Sequence, residues 1–473
     1  MRSRAIFLRS PTLPIAQASP ISTFFVTTNS YREQMQKTLF STSTDFVSPT
    51  STNSNLGRPL WIDTDVGFDD LVAIGCCYDV NGDESINSEK SNNETRLVGI
   101  STVGGGMTAD PLDAVAILRG LLPSRPNTMP IIAGNREGSP SVKRDDPSWL
   151  ATSREQMNKF CAGERISLPS IVEEDERTNE TSDKNLHSTH VEIFATETNG
   201  DDYSGKIDLI CLGPLTNLAQ WLEEIPERTT NSLNSIWILG GNIPIRQSSP
   251  SDECREDAEF NFARDPEAVR TVLHHPQLQN TRIHIVPQEV CNRKAFESSF
   301  CPQQNLCAAE IIENWLQSTA QTDTILEAET QTNTNETTFM PVKSLLPPWL
   351  VRLIRTRTFS IYGDPICMYA RHSSETSSIS SPSTQPKVIW KDYDARERNI
   401  STANNDLLTV DSHGRLILCG KPTAKSTVAA AGSELDEKTE SGNSVRIAHE
   451  MELGQDYLDW LATSMISSFR KRK

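Results

Sequence analysis

The sequence predicts an α/β fold in which a mostly parallel central β-sheet is flanked by helices and interrupted by disordered polar insertions. Short apolar runs, typical of strands buried on both faces, alternate with segments in which apolar residues recur at helical spacing. Glycines follow the runs 97–103 and 235–239, where a strand would turn towards the next helix. This order favours parallel strands joined by helical crossovers. The chain of 473 residues is long enough for one large domain of this kind.

The individual elements follow from the same patterns. Strands are predicted at 60–62, 97–103, 130–133, 207–212, 235–239 and 282–286. Helices are predicted at 69–77, 111–122, 215–222 and 266–274. Asp110 provides a side-chain cap and Pro111 a first helical residue without an N–H, which together mark the start of the second helix. The carboxyl ends of parallel strands meet at one edge of the sheet, so a ligand is expected at the loops that follow them.

Polar stretches interrupt this pattern in several places. They are rich in Ser, Thr, Asn and Glu, and they cannot bury enough apolar surface to fold on their own. They lie near 79–96, 163–189, 319–340, 371–388 and 421–444. They also explain a hydrophobic content of only 36% in an otherwise periodic chain. We predict one domain over 58–470 that carries these stretches as disordered insertions.

Residues 1–57 form a separate N-terminal segment. Up to residue 44 the segment has five basic residues, one acidic residue and many Ser and Thr. This composition is typical of an organelle transit peptide, and a disordered tail is the alternative. The ten cysteines show neither CxxC pairs nor regular spacing, which favours a reducing compartment over a disulfide framework. We therefore predict an intracellular protein that is either cytoplasmic or organellar (mitochondrial or plastid).

Charge and hydropathy exclude two classes of partner. The formal net charge is −17, and the sequence has no basic stripe that could follow a nucleic-acid backbone. It also has no run of about 18 apolar residues, so no transmembrane helix is expected. The sequence therefore predicts a small-molecule ligand, and binding to neither nucleic acid nor membrane.

Four carboxylates follow the first predicted strand within eight residues. Asp63 and Asp65 lie on the same side of an extended chain, Gly67 permits a turn, and Asp69 and Asp70 begin the next helix. So many anions in one crevice repel each other unless a cation lies among them. Ligands that are all oxygen select a hard ion, Ca²⁺ or Mg²⁺. Such an ion can hold a water and a sugar diol together and lower the pKa of the water, so that a neighbouring aspartate accepts its proton.

Two other interpretations of this run are open. Acidic residues are common in the first turn of a surface helix, which would account for Asp69 and Asp70 alone. An aspartate pair after an apolar strand also suits a phosphatase of the haloacid-dehalogenase type, in which Asp63 would be the nucleophile. That enzyme needs a downstream lysine and a second acidic motif, and neither is recognisable in the sequence.

The run DTDVGFDD at 63–70 resembles the amino-terminal signature of the inosine-uridine-preferring nucleoside hydrolases. Further segments resemble this family in its own order: STVGG at 101–105, LGPLTNLA at 212–219, LGGN at 239–242, AEFN at 258–261, DPEA at 265–268, VPQEV at 286–290, DP at 364–365 and NSVRIA at 443–448. The resemblance implies an open, Rossmann-like sheet and a final helix at about 456–466. It also implies Ca²⁺-dependent hydrolysis of the N-glycosidic bond of ribonucleosides to ribose and free base, in nucleoside catabolism or salvage. Family members are commonly dimers or tetramers, so a homo-oligomer is a further expectation.

The resemblance also implies roles for the residues of a metal site. Asp65 would be both a ligand of Ca²⁺ and the general base that deprotonates the water. Asp70 would bind the ion through both carboxylate oxygens, Leu212 would provide its backbone carbonyl, and Asp364 would be the remaining protein ligand. Asp63 would support the site from behind.

The substrate-binding residues that the resemblance implies are Asp69, Asn242, Glu259 and Asn261. Their carboxylate and amide groups can hydrogen-bond to sugar hydroxyls, and nearby anions favour the positive charge that develops on ribose as the bond breaks. A 5′-phosphate would face Glu259, so nucleosides are expected as substrates rather than nucleotides.

Two glycines depart from the family's pattern. The family usually has an asparagine for ribose where Gly106 stands, and many members have a histidine, a candidate acid for the leaving base, where Gly363 stands. His284, His372 and Arg255 are alternative proton donors. A general acid typically contributes about 10²- to 10⁴-fold to the rate. The alternative function is therefore a catalytically impaired relative that binds Ca²⁺ and ribosides without turnover.

Overall fold

In the part of the chain that the structure describes, one β-sheet of 11 strands organises the fold. The computed structural model describes residues 59–78, 95–122, 129–136, 146–168, 191, 194, 206–246, 258–291, 346–356, 362–376, 388–395, 407–419, 443–451, 453 and 455–469. The strands are β1 (Pro59–Thr64), β2 (Arg96–Thr102), β3 (Ile131–Ala133), β4 (Ile207–Cys211), β5 (Leu233–Leu239), β6 (Ile245–Arg246), β7 (Arg282–Val286), β8 (Val388–Ala395), β9 (Leu407–Val410), β10 (Leu416–Cys419) and β11 (Asn443–Met451). Their order across the sheet is β3-β2-β1-β4-β5-β7-β11-β8-β9-β10-β6.

Helices connect the strands and cover the sheet. Within the described ranges they are α1 (Phe68–Cys77), α2 (Pro111–Leu121), α3 (Ser148–Glu164), α4 (Thr216–Glu224), α5 (Pro226–Ser232), α6 (Phe260–Arg264), α7 (Pro266–His274), α8 (Pro348–Thr356), α9 (Asp364–Thr376) and α10 (Gln455–Phe469). Short 3-10 turns lie at Pro276–Leu278 and Gln288–Val290. The side chain of Asp110 caps α2 by accepting a hydrogen bond from the Leu112 N–H at 2.9 Å, and Asp265 caps α7 in the same way through Ala268 N–H at 3.0 Å.

The sheet is parallel across the seven neighbouring strands from β3 to β11. It becomes mixed beyond them, because β8 pairs antiparallel with β11 and β10 pairs antiparallel with β9. The strand order reverses at β1, which has β2 on one side and β4 on the other. Ligands bind open α/β sheets outside the carboxyl ends of the strands at such a switch point. Asp63 lies there, in register with Ser101 of β2 and Cys211 of β4.

Both faces of the inner, parallel strands are buried, which explains the uninterrupted apolar runs in the sequence. Leu60 and Ile62 of β1 belong to one apolar core, together with residues of α1, α2, α8, α9 and α10. Trp61 belongs to the core on the opposite face, which includes residues of α4 and α7. Side chains along a strand alternate between the faces, so these three neighbours are all fully buried.

The predicted fold class is confirmed, and the predicted strands and helices correspond to β1–β5, β7, β11, α1, α2, α4, α7 and α10. The prediction of an insertion from 371 was wrong at its start. Helix α9 continues to Thr376, and Arg371 within it is almost completely buried. The central parts of the other insertions and the segment 1–57 lie outside the described residues. Within the described ranges, the helices fall short of the length and apolar content that a membrane crossing requires.

Candidate active site

The chain makes an unusual turn directly after β1. Val66 has a φ of 57°, in the left-handed region that β-branched residues rarely adopt. Its N–H donates to the Thr64 hydroxyl oxygen at 3.0 Å, and the Gly67 N–H donates to the Asp70 carboxylate at 2.8 Å. The Thr64 hydroxyl also donates to the other oxygen of Asp70. Strained backbone of this kind persists where the surrounding structure fixes it, and it is enriched at functional sites.

Asp63 comes shortly before this turn and is fully buried. Its Oδ1 accepts hydrogen bonds from the Ser101 hydroxyl at 2.5 Å and from the Asn217 amide at 2.7 Å. Its Oδ2 is buried and has no hydrogen-bond partner among the described residues. Burial raises the pKa of Asp63 to about 7. The residue thus links β1 to β2 and α4, and its supporting role stays a prediction.

Three other carboxylates converge near the start of α1. Oxygens of Asp69, Asp70 and Asp364 all lie within 4.8 Å of one another. The first two come from the start of α1, whereas Asp364 is the first residue of α9. Gly363, with a φ of 77°, turns the chain into α9. We call Asp69, Asp70 and Asp364 the carboxylate cluster.

The carboxylate cluster fits a hard cation. Burial raises the pKa of Asp70 to about 6 and that of Asp69 to about 7. Burial and the negative charges of Asp70 and Asp69 also raise the pKa of Asp364 well above its usual range. The Asp364 Oδ1 is buried and has no hydrogen-bond partner in the described part of the chain. A divalent cation would offset this repulsion and satisfy that oxygen, and a donor set made only of oxygen suits Ca²⁺ or Mg²⁺.

Asp65 lies beside the carboxylate cluster but is not one of its three members. Its Oδ2 accepts a hydrogen bond from the Met107 N–H at 3.0 Å. Its backbone oxygen accepts from the Thr108 hydroxyl at 2.9 Å and from the Thr108 N–H at 3.3 Å. Burial and the charge of Asp70 raise the pKa of Asp65 well above its usual range. The structure therefore brings Asp65 close to Asp70 while the segment after β2 determines its orientation.

The backbone carbonyl of Leu212 and the side chain of Asn261 lie together at the end of β4. The Asn261 amide donates to the Leu212 oxygen at 2.9 Å and to the Leu239 oxygen at 3.3 Å. The Leu212 N–H donates to the backbone carbonyl oxygen of Asp63 at 2.8 Å, so this segment continues the pairing with β1 beyond the end of β4. A carbonyl oxygen has two lone pairs, so the oxygen that binds Asn261 can also bind a cation.

Glu259 caps α6 with both of its carboxylate oxygens. Oε1 accepts from the Asn261 N–H at 2.9 Å, and Oε2 accepts from the N–H groups of Phe262 at 3.1 Å and Gly241 at 2.9 Å. Burial nevertheless raises the pKa of Glu259 to about 7. The carboxylate is therefore fixed at the end of β5, and its sugar-binding role stays a prediction.

The side-chain amide of Asn242 forms two hydrogen bonds with the backbone of Leu416 in β10, as a neighbouring strand would. Its Oδ1 accepts from the Leu416 N–H at 2.8 Å, and its Nδ2 donates to the Leu416 oxygen at 3.2 Å and to the Ile243 oxygen at 2.8 Å. These bonds fasten the loop after β5 to the outer strands. The predicted substrate contact of Asn242 stays a prediction, and the structure gives this amide a structural function.

The two glycines that depart from the family's pattern both face aspartates of the site. A Cβ at Gly106 would lie 1.7 Å from the Asp65 Oδ2, and a Cβ at Gly363 would lie 2.8 Å from the Asp69 Oδ2. Both distances are too short for a carbon atom. In this arrangement, glycine at each position is what allows the neighbouring carboxylate to occupy its place.

The alternative proton donors lie away from the carboxylate cluster or outside the described residues. His284 stacks on Trp237 in the middle of the sheet with ring centroids 3.9 Å apart, and burial lowers its pKa to about 3. His372 lies two turns along α9 from Asp364 and packs near Trp460. Arg255 belongs to the residues that the structure does not describe.

Sequence reasoning missed the residues that hold the aspartates. Ser101 and Asn217 both fall within segments that resemble the family, STVGG and LGPLTNLA, so their signal was present but their contact with Asp63 was not foreseeable. Arg154 of α3 gave no signal, because it binds the turn after β2 through backbone oxygens, which no residue type marks.

Comparison with known proteins identifies a family. The family model for inosine-uridine preferring nucleoside hydrolase matches residues 60–393. A Schizosaccharomyces pombe protein, "Uncharacterized protein C17G8.02", is 26% identical over 242 residues, which is 51% of this chain and 60% of that protein. The non-specific ribonucleoside hydrolase RihC of Klebsiella pneumoniae is 40% identical over 68 residues, 14% of this chain and 20% of the relative. The aligned regions thus span less than two thirds of these relatives.

Among solved structures, the purine-preferring ribonucleoside hydrolase from Gardnerella vaginalis is 16% identical, with a TM-score of 0.45, and the match covers 87% of this chain and all of that one. The inosine-uridine preferring nucleoside hydrolase from Bacillus anthracis is 15% identical with the same TM-score, and 87% and 99% of the two chains are covered. The match to the family model is the decisive comparison, because it extends over well more than half of the sequence and contains the carboxylate cluster. The chain belongs to the inosine-uridine preferring nucleoside hydrolase family.

Proposed function

We propose that this protein hydrolyses the N-glycosidic bond of ribonucleosides to ribose and free base, with Ca²⁺ as its cofactor. The observation that carries the proposal is the convergence of Asp364 with Asp69 and Asp70, from two helices far apart in the sequence. An acidic helix cap would not bring in a third carboxylate from α9. A phosphatase of the dehalogenase type is disfavoured, because the range matched by the nucleoside hydrolase family includes these aspartates.

The proposed cation ligands are Asp65, Asp70, Asp364 and the Leu212 carbonyl. The Asp364 Oδ1 is buried without a partner in the described part of the chain, and it is therefore available as a ligand. Asp69 lies within the same cluster and would either contact the cation or accept a hydrogen bond from a sugar hydroxyl. When bound, Ca²⁺ would neutralise these carboxylates, bind sugar hydroxyls and lower the pKa of a water molecule.

Asp65 is the proposed general base. The Met107 N–H holds one oxygen of its carboxylate, which leaves the other oxygen to accept a proton. The water oxygen forms a bond to C1′ of the ribose while the bond from C1′ to the base nitrogen breaks. The electron pair of that bond leaves with the base, which gains a proton from solvent, and the proton of the water passes to Asp65. Positive charge develops on the ribose in this step, and the anionic side chains around it would stabilise that charge.

A second candidate function is binding of Ca²⁺ and ribosides without turnover. The observation that favours it is the absence of a side chain at Gly106 and Gly363. Gly106 has no amide to bind ribose, and Gly363 cannot donate a proton to a leaving base. The two candidates differ in whether a bound nucleoside is cleaved. Base preference, homo-oligomer formation and the predicted compartment stay predictions.

The test is ribose release by the full-length protein. Uridine, inosine, cytidine and adenosine are each incubated with protein in Ca²⁺ and in excess chelator, and reducing sugar and free base are measured. We expect release in Ca²⁺, loss of release in chelator, and recovery when Ca²⁺ is restored. Calorimetric binding of Ca²⁺ and nucleoside without release would favour the binding-only candidate, and neither binding nor release would refute both.

Replacing Gly106 with alanine tests the contact between this glycine and the proposed base. The new Cβ would displace the Asp65 carboxylate, and a misplacement of about 1 Å can cost about 10²-fold in rate. We expect kcat to fall by about 10²-fold or more. The matched control is Gly163→Ala in α3, where a Cβ would meet only the Arg352 side chain at an ordinary 3.6 Å. Equal activity of the two variants would contradict the role of Gly106.

A further inference from the structure

The peptide group between Gly106 and Met107 lies between two charged side chains. Its N–H donates to the Asp65 carboxylate at 3.0 Å. Its carbonyl oxygen accepts from the Arg154 guanidinium, through Nη2 at 2.8 Å and Nε at 3.2 Å. A single peptide group thus connects a cation on one side with the carboxylate of Asp65 on the other.

We infer that Arg154 is a positioning residue for Asp65, and that it acts through this peptide group. The inference rests on the proposed function insofar as it treats Asp65 as the general base. A hydrogen bond from a charged donor is stronger than one from a neutral donor, so Arg154 fixes the plane of the peptide. Hydrogen bonds in a chain polarise one another, so the same contact strengthens the N–H donor that holds Asp65.

Arg154 is itself held in place by a neighbouring ion pair. Its Nη1 contacts Asp146 at 2.8 Å, and the other oxygen of Asp146 contacts Nη1 of Arg264 at 2.8 Å. Arg264 also donates through Nε to the Gly105 oxygen at 2.5 Å. Two guanidinium groups therefore bind adjacent carbonyls of one turn, and a single carboxylate joins them. We call Asp146, Arg154 and Arg264 the turn clamp.

The turn clamp joins three separate parts of the chain. Arg154 comes from α3, Arg264 from the end of α6, and the carbonyls from the loop after β2. The Arg264 guanidinium also lies over the ring of Phe260, 5.4 Å from its centroid. In the sequence, Phe260 stands between the capping residue Glu259 and Asn261. Arg154 is only 23% exposed, so its bonds to the turn are partly shielded from water. The turn clamp thus fixes the turn after β2 relative to both α3 and α6.

The same turn has little freedom on its inner side. Gly106 packs so closely on Asp65 that no Cβ fits between them. Thr108 binds the backbone oxygen of Asp65 through both its N–H and its hydroxyl. A shift of the turn is therefore transmitted to Asp65 directly, since nothing lies between them to absorb it. Groups that orient a metal ligand or base in this way typically cost about 10- to 100-fold in metal affinity or activity when they are lost.

The test compares Arg154→Met with Arg154→Lys and with a control on the same helix. Lys159→Met is the control, because Lys159 forms an exposed ion pair with Glu155 one turn away and does not bind the turn after β2. We expect Arg154→Met to lower kcat about 10- to 100-fold with a much smaller change in KM. Arg154→Lys should recover only part of kcat, because an ammonium cannot reproduce the paired bonds of Nε and Nη2. Lys159→Met should leave kcat unchanged.

Hydrogen–deuterium exchange provides a second readout that does not depend on catalysis. Peptides that cover residues 104–109 should exchange faster in Arg154→Met than in the wild type, and at the wild-type rate in Lys159→Met. If the wild type releases no ribose, the proposed function fails while this comparison still decides the inference. Unchanged exchange together with unchanged kcat would overturn it, as would an equal loss of kcat in Lys159→Met. If Arg154→Met does not fold, Arg154→Lys and Asp146→Asn are compared instead, and wild-type values in both would overturn the inference.

Discussion

Replacing Asp364 with asparagine is expected to weaken Ca²⁺ binding by about 10²-fold or more and to remove most of the ribose release. Calcium affinity depends on the number of charged ligands, and Asp364 supplies one of the three carboxylates in the cluster. It is also the one carboxylate of the cluster that α9 supplies, so its loss opens one side of the proposed cage. Titration calorimetry measures the affinity, and ribose release at saturating Ca²⁺ measures the activity.

The same substitution should make the calcium-free protein more stable. Asp364 is buried, and its pKa is raised by burial and by the charges of Asp70 and Asp69. Removing that charge relieves repulsion, so the melting temperature without Ca²⁺ should rise while the gain on adding Ca²⁺ becomes smaller. Asp392→Asn, on the exposed face of β8, is the control and should change neither quantity. A calcium-free variant that is less stable and has wild-type affinity would show that Asp364 is a structural residue.

The inner strands of the sheet could be predicted because burial on both faces leaves a local signal. In β1, the neighbours Leu60, Trp61 and Ile62 point into opposite cores and are all apolar. Helix α3 left almost no local signal of this kind, since its only buried residues are Leu150, Met157 and Cys161. Such a sparse apolar stripe is difficult to distinguish from a polar loop.

The outer strands were missed for a related reason. In β8, Lys391, Asp392 and Asp394 interrupt the apolar pattern, and most of the strand is at least partly exposed. Its place is determined by antiparallel pairing with β11, whose partner residues lie far along the sequence. Pairing between distant strands depends on the folded sheet, and a local pattern does not encode it.

The proposed site also combines features that the local sequence predicts with features that it does not. The run from Asp63 to Asp70 is local, so its acidic character and its turn could be predicted from spacing alone. The approach of Asp364 could be expected only from the resemblance to a family, because no local pattern connects α9 with α1. The turn clamp could not be predicted from either source, since Arg154 binds backbone oxygens, which any sequence provides. A contact to backbone leaves no pattern of residue types in the partner segment.

Replacing Asp65 with asparagine should separate proton transfer from cation binding. The asparagine Oδ1 can still accept the hydrogen bond from the Met107 N–H, so the turn should keep its structure. The amide cannot accept the proton of the water, and loss of a general base typically costs about 10²- to 10⁴-fold in rate. We expect kcat to fall within that range. Ca²⁺ affinity should also fall, because Asp65 is one of the proposed ligands, so kcat is measured with Ca²⁺ at saturation.

Combining this variant with Arg154→Met makes the prediction sharper. If Arg154 acts by positioning the base, removing it from a protein that has already lost the base should lower kcat little further. Two residues that act through one another give effects that do not add, whereas independent residues give effects that do. The measurement is a double-mutant cycle on kcat with calcium at saturation. Additive losses would assign Arg154 a role separate from Asp65, and an unchanged kcat in Asp65→Asn would remove Asp65 as the base.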